Sequence, residues 1–210
     1  MREFVCQSLF KYWNEVRRNR VAPLRFDIEP ARISPILPDT FILERADHSS
    51  TRFRLAGTRI CEAFDTEFRG REIFDVFNAS DRETLHQQIA VIVRQGAVGY
   101  TTLKATTARG NTADFDMVLL PLIHAHNTID RFIGALGPVG LYPWLGTEPL
   151  LTPAITSHEL IWPDGRPHAV IEQGRIQSPF SPDLPVARIV RANRRQFRVY
   201  EGGLEKLGKS

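Results

Sequence analysis

The stretch Arg52–Phe77, RFRLAGTRICEAFDTEFRGREIFDVF, decides how the rest of the chain is arranged. Its first residues alternate in polarity, with Phe53 and Leu55 on one face of a predicted strand and arginines on the other. Gly57 is the predicted switch point out of this strand, because glycine reaches backbone angles that other residues resist. Thr58 follows in the position of a helix cap, where its hydroxyl can accept a hydrogen bond from a free amide.

After the strand, the same stretch changes to a helical pattern. Ile60, Cys61 and Phe64 fall on one helical face, and a loop around Gly70 leads to a second helical turn. A strand with short helices beside it is typical of a shell around a small pocket. The pattern does not indicate catalytic machinery.

Further strands and one longer helix extend this arrangement in both directions. A strand at 40–46 is joined to the opening strand by the turn-forming sequence DHSS. A helix at 81–95 is predicted from a capping box of Ser80 with Glu83 and a stop at Gly96. Three more strands, connected by short turns, are predicted at 98–107, 113–124 and 131–137. Together these elements predict an α+β fold with a five-stranded antiparallel sheet and short helices on one face.

The strand at 113–124 is apolar on both of its faces, which predicts that the sheet is covered on both sides. The natural cover is an N-terminal amphipathic helix at 3–18, whose apolar residues recur at intervals of three or four, or a second subunit. These residues are Val5, Leu9, Tyr12, Trp13 and Val16.

The predicted domain organisation has three parts. Residues 1–39 form the helix and a proline-rich connector, residues 40–140 form the core, and residues 141–210 form a C-terminal extension. The extension begins as a connector rich in proline and glycine. It continues with a predicted small hairpin at 158–177, around WPDGRP, and a predicted helix at 184–200.

Composition is that of a globular protein, with 210 residues, 42% of them hydrophobic and 24% charged. The longest apolar run, Met117–Ile123, is too short to cross a bilayer. The first residues show no cleavage-site pattern, so no signal peptide is expected. Cys6 and Cys61 are too few for a disulfide framework and predict two reduced thiols in a cytoplasmic protein.

The charge of the chain is unevenly distributed. Residues 186–210 carry a local charge of +5, which leaves −2 on residues 1–185. On the predicted helix of this tail, one face carries Arg188, Arg191, Arg195 and Arg198. Arginines bind phosphates and carboxylates strongly, so the face predicts contact with an acidic protein surface or, less favoured, with nucleic acid.

The order of the elements is accompanied by a set of short motifs between residues 9 and 140. They are Tyr12-Trp13, Arg17, Pro23, Arg25, Asp27, Glu29-Pro30, Leu37-Pro38, RLAGTRICEAF at 54–64, Arg69-Gly70-Arg71, Leu119-Leu120-Pro121-Leu122 and Ile133-Gly134-Ala135. In both respects the chain resembles the PAS domain family, and within it a group of compact, often single-domain bacterial proteins. Asp65 departs from the pattern, which has a glycine at that point.

The resemblance implies a regulatory protein that senses a small ligand or a redox cofactor, or that mediates protein contacts, and not an enzyme. It leaves the identity of any cofactor open. Many PAS domains dimerise through an N-terminal helix, which here implies a homodimer formed through Val5, Leu9, Trp13 and Val16. Because a fold does not settle a function, these remain expectations.

Other chemically capable side chains carry weaker signals. Cys61 lacks the Asn-Cys-Arg-Phe context of a photochemical flavin-binding cysteine. His86 is interpreted as a polar or surface residue and not as a haem ligand. His124 and His126 share a strand face, but no third metal ligand accompanies them.

Two carboxylates, Asp114 and Asp116, share one strand face, which is expected to be the solvent-exposed rim of a hairpin. The chain lacks a Gly-x-Ser-x-Gly motif, a phosphate-binding loop and a dinucleotide fingerprint. The sequence therefore predicts a protein without catalytic residues.

The pocket predicted inside the core is lined by residues from the strands and the short helices. They are Phe53, Leu55, Ile60, Phe64, Phe74, Ile89, Met117 and Leu119, with Tyr100 and Thr102 as polar groups. The alternative is that the same side chains fill a solid core and that the protein is a ligand-free interaction scaffold.

Overall fold

The computed structural model describes residues 1–124 and 128–168 of the chain. In this part the helices are α1 (Phe4–Arg17), α2 (Thr58–Phe64) and α3 (Ala79–Gln95), with short 3₁₀ turns at Arg25–Asp27, Pro30–Asp39 and Ile73–Val76. The strands are β1 (Thr40–Arg45), β2 (Thr51–Ala56), β3 (Val98–Thr106), β4 (Thr112–Ile123), β5 (Ile129–Pro138) and β6 (Ala154–Ile161). The elements predicted between residues 3 and 137 are confirmed, with ends that differ by a few residues.

The strands form one antiparallel sheet in the order β2-β1-β5-β4-β3-β6. The prediction of five strands was wrong by one, because β6 pairs with the edge of β3. Its sequence, AITSHELI, is polar and largely exposed, so it carries no burial pattern. Hydroxyl groups help to hold the pair: Thr102 Oγ1 lies 2.7 Å from the side-chain oxygens of both Thr156 and Ser157.

The two faces of the sheet are covered differently. We call the outer face the one on which α1 packs against β4 and β5, and the inner face the one beneath α2, the 73–76 turn and α3. Side chains of β4 alternate between them, since Asp116 contacts the start of α1 whereas Met117 faces α2. The predicted cover of both sides of β4 is therefore confirmed.

A β-bulge in β2 overturns the predicted alternation of this strand. Ile42 pairs with Leu55 but the next residue, Leu43, pairs with Phe53, so Arg54 is an extra residue in the ladder. The extra residue reverses the direction of the side chains beyond it. Phe53 consequently points into the core, whereas Leu55 is 50% exposed.

Gly57 ends β2 for a different reason from the one predicted. Its φ of −68° and ψ of 157° are available to any residue, so backbone freedom is not required here. A Cβ atom at this position would instead overlap the backbone of Leu37 and Pro38. Gly57 is the N-cap residue of α2, and Thr58 already lies within the helix. The predicted cap at Thr58 was therefore wrong.

The ends of the other helices are also explained by single residues. Asn78, and not Ser80, caps α3 by accepting a hydrogen bond from the Asp81 amide. Gly96 ends α3 as predicted, with a positive φ of 63°. Asp65 ends α2 in the left-handed conformation, with φ of 46° and ψ of 47°, which explains why a glycine suits this position.

The C-terminal extension is only partly within the described residues. The first residues of the predicted hairpin at 158–177 belong to β6, which pairs with β3, and to the turn after it. The second arm, the predicted helix at 184–200 and its arginines Arg188, Arg191, Arg195 and Arg198 lie outside the described residues.

Candidate functional site

A small chamber lies on the inner face of the sheet, under α2 and the 73–76 turn. Its volume is about 30 Å³, close to the share of one water molecule in the liquid. Side chains from both sheet and helices surround it, and all of them are apolar. They are Phe41, Phe53, Ile60, Phe64, Phe68, Ile73, Val76, Phe77, Leu103, Met117, Leu136 and Pro153.

Phenylalanine rings form the main wall of the chamber. The ring of Phe53 lies 5.7 Å from that of Phe41 and 5.1 Å from that of Phe68, centre to centre, and Phe64 meets Phe68 edge-on at 5.6 Å. Such aromatic pairs each contribute about 0.5–1.5 kcal/mol beyond the burial of their surface. The chamber is thus a core with one small gap among tilted and edge-on rings.

A wider recess of about 180 Å³ lies next to the chamber and opens toward solvent. We call it the vestibule. Phe64, Phe68, Val76 and Pro153 line both spaces, so the vestibule is the mouth of the chamber. The polar side chains on its rim are Thr66, Arg71, Glu72, Asp75 and Thr152.

One wall of the vestibule comes from residues 148–153, which we call the strap. Leu150 is buried, and its amide donates to the carbonyl of Ala63 in α2 at 2.8 Å. The amide of Leu151 donates to the carbonyl of Thr106 in β3 at 2.9 Å. The strap therefore joins the helical side of the chamber to the edge of the sheet.

Beyond the strap, the extension is attached to both helices that flank the sheet. The Ile155 amide donates to the Asp81 carboxylate of α3 at 2.9 Å. Asp164 accepts two hydrogen bonds, at 2.7 and 3.1 Å, from the buried guanidinium of Arg17 at the end of α1. Two parallel hydrogen bonds make this a bidentate arginine–carboxylate pair, which is the strong form of the interaction.

Half of the residues predicted to line the pocket do line the chamber. Phe53, Ile60, Phe64 and Met117 surround it, whereas Leu55 is turned outward by the bulge. The others are buried elsewhere. Phe74 stacks on His86, with 3.5 Å between the ring centres. Leu119 pairs with Gly99 of β3, beneath α3. Ile89 is buried on the core-facing side of α3.

Tyr100, the predicted polar group of the pocket, lies on the outer face with Asp116 and Arg2. Burial and a hydrogen bond to Asp116 raise the pKa of Tyr100 to about 12. Thr102 also lies outside the chamber, where it bonds to β6. The chamber therefore has no polar group from β3 directed into it among the described residues.

The expectation that Asp116 lies on an exposed hairpin rim was wrong. Its side chain is 0% exposed, and it accepts hydrogen bonds from the amides of Arg2 and Glu3 at 2.6 and 3.0 Å. Burial acts to raise the pKa of Asp116, but hydrogen bonds from Arg2, Tyr100 and Glu3 outweigh it, so the pKa is lowered. Asp114 remains half exposed. Asp116 is therefore an anchor for the start of α1.

The sequence matches the family model for the PAS domain over residues 1–137. The chain belongs to the PAS domain family. No curated protein matches it in a sequence comparison. PAS domains serve mostly as sensory and signalling modules, and many mediate protein contacts. In this PAS protein the strap and β6 follow the matched residues, so part of the chamber wall comes from outside the matched region.

The residues predicted to form a dimer divide into two groups in the PAS protein. Leu9 and Trp13 are fully buried against their own sheet, and Trp13 Nε1 donates to the carbonyl of Pro121 at 2.8 Å. These two cannot contact a second copy while α1 stays in place. Val5 and Val16 are half-buried, and the neighbouring Phe4 is 71% exposed.

Sequence reasoning missed the burial of Asp116 under α1, the strap and the Arg17–Asp164 pair. Only Arg17 carried a signal, as a motif residue of the resemblance. Within residues 1–124 and 128–168, no cluster of three side chains suits a metal ion, and no helix is long and apolar enough to span a membrane. His126 lies outside these residues.

Proposed function

We propose that this PAS protein is a regulatory module that acts by protein contact and is tuned by a small molecule at the chamber. The supporting observation is the strap, because a segment after the PAS domain forms one wall of the vestibule. A molecule that entered the vestibule would touch the strap and the PAS core together. Occupancy would thereby change how the extension is held.

The proposal includes a homodimer that forms through the outward side of α1. Four apolar side chains of α1 keep accessible surface, namely Phe4, Val5, Phe10 and Val16, whereas Leu9 and Trp13 fix α1 to the sheet. The basic tail, with Arg188, Arg191, Arg195 and Arg198, would contact an acidic protein partner. We expect this to take place in the cytoplasm, since Cys6 and Cys61 are both free thiols.

A second candidate is a ligand-free interaction scaffold. The small volume of the chamber, about 30 Å³, favours it, because pockets for cofactors and drug-sized ligands are typically about 300–1,000 Å³. In that case the phenylalanines around the chamber act only as a core.

Native mass spectrometry of the freshly purified protein, with an absorption spectrum, tests the proposal. We expect a dimer that carries a stoichiometric extra mass, and we expect Phe4→Glu to give a monomer, whereas Gln87→Glu, on the exposed side of α3, does not. A bare mass and a spectrum with only the aromatic band would favour the scaffold. A monomeric wild-type protein at micromolar concentration would remove the dimer from the proposal.

A further inference from the structure

The charged side chains that line the vestibule differ in whether they have an ion-pair partner. Arg71, Glu72 and Asp75 are the charged side chains that line it. Glu72 is engaged on the far side, where it accepts hydrogen bonds from Arg52 Nε and Ser50 Oγ at 2.6 Å each and from the Thr51 amide. Asp75 pairs with Arg82 at 3.3 Å. Arg71 has no ion pair within the described residues.

The backbone holds Arg71 in a fixed position beside the chamber. Its carbonyl accepts a hydrogen bond from the amide of Phe53, a chamber residue, and its amide donates to the carbonyl of Phe68, another. Gly70, with a φ of 84°, makes the turn that brings the chain to this point. The Arg-Gly-Arg motif thus places one cation at the mouth of an apolar space.

We propose that the vestibule and chamber bind a small amphipathic carboxylate, with its carboxylate on Arg71 and its apolar end among Phe64, Phe68 and Val76. This inference rests on the proposed ligand-tuned function and gives the chemical class of the ligand. Arginine is the side chain best suited to a carboxylate, because its planar fork donates two parallel hydrogen bonds.

The size of the two spaces limits the ligand. The vestibule has room for about six water molecules and the chamber for about one more. This suits a medium-chain fatty acid or a small aryl acid that lies along the vestibule with its end toward the phenylalanine rings. A flavin or a haem would not fit in this volume.

Calorimetric titration with three probes separates the two ends of the site. Sodium octanoate has both the anion and the chain, 1-octanol has the chain alone, and sodium acetate has the anion alone. We expect octanoate to bind at least tenfold more tightly than octanol, since a charge-assisted hydrogen bond contributes about this much, and acetate not to bind.

Variants locate the binding. Arg71→Gln should weaken octanoate about tenfold and leave octanol unchanged, whereas Arg69→Gln, two residues away and outside the vestibule, should change neither. Val76→Phe fills the mouth of the chamber and should weaken both probes, with a melting curve to show that the variant is folded. Equal loss of octanoate in the Arg69 and Arg71 variants would overturn the proposal.

The same data distinguish this inference from the proposed function. Suppose that octanol and octanoate bind equally tightly, and that binding of both is lost in Val76→Phe but not in Arg71→Gln. This result would support a ligand-binding chamber but overturn the proposal that the ligand is a carboxylate. No binding of either probe, together with a bare native mass, would overturn both.

Discussion

On the outer face of the sheet, α1 packs through fully buried side chains, whereas the inner face closes around a small chamber whose wall includes Pro153 of the strap. Trp13 and Leu9 are fully buried on the outer face, and Asp116 fixes the start of α1 by its hydrogen bonds. On the inner face, short helices and phenylalanine rings pack less completely. We therefore expect the outer face to be the more rigid side and, under the proposed function, the inner face to be the side that a ligand affects.

The largest effect is expected where the outer face is most tightly packed. Trp13→Ala should lower the free energy of unfolding by about 3–5 kcal/mol, because it leaves a large cavity under α1 and a buried carbonyl without its donor. Urea denaturation measures this. Lys11→Ala, on the exposed side of α1, should stay within about 0.5 kcal/mol of wild type. A cost below about 1 kcal/mol for Trp13→Ala would mean that the outer face is not the rigid side.

A smaller effect is expected at the start of α1. Asp116→Asn should cost about 2 kcal/mol at neutral pH, because the buried carboxylate loses its charge-assisted hydrogen bonds to the amides of Arg2 and Glu3. Asp114→Asn is the matched control on the same strand, and its half-exposed side chain should give a change under about 0.5 kcal/mol.

The cost of Asp116→Asn should also depend on pH. The folded pKa of Asp116 is lowered, so the stability that it contributes is present above the unfolded value of about 3.9 and is lost as pH falls through the folded pKa. Burial and, to a smaller extent, the charges of Asp39 and Asp116 raise the pKa of Glu3, so a smaller part of the pH dependence of this difference comes from Glu3. A difference in stability that stays constant from pH 7 down to pH 3 would contradict the assigned role of Asp116.

The sequence predicted the elements that repeat a hydrophobic period. The core face of α1 and the two buried faces of β4 follow directly from the spacing of their apolar residues. Four of the chamber residues, Phe53, Ile60, Phe64 and Met117, were identified in the same way. Such positions are predictable because burial in one layer requires the matching period in the chain.

The features that were missed depend on partners distant in sequence. The β-bulge that turns Leu55 outward is a property of the β1–β2 pairing, and Asp116 becomes buried only when α1 covers it. The strap depends on hydrogen bonds between backbone groups, such as Leu150 to Ala63, which any sequence can make. The sequence showed that Asp65 stands where the family pattern has a glycine. The reason for a glycine there is the left-handed backbone at the end of α2, which the sequence pattern does not show.

The smallest expected effect compares the same substitution on the two faces. Val76→Ile adds a methylene group beside the chamber and should stabilise the protein by about 0.8 kcal/mol, because there is free volume to fill. Val118→Ile adds the same group to β4 on the outer face, where Val118 is fully buried, and should cost about 1 kcal/mol or more. Urea denaturation of both variants gives the sign of each change. Changes of opposite sign in the free energy of unfolding would support the contrast between a filled outer face and an unfilled inner face. Destabilisation by both substitutions would mean that the inner face is also fully packed, and it would favour the ligand-free scaffold.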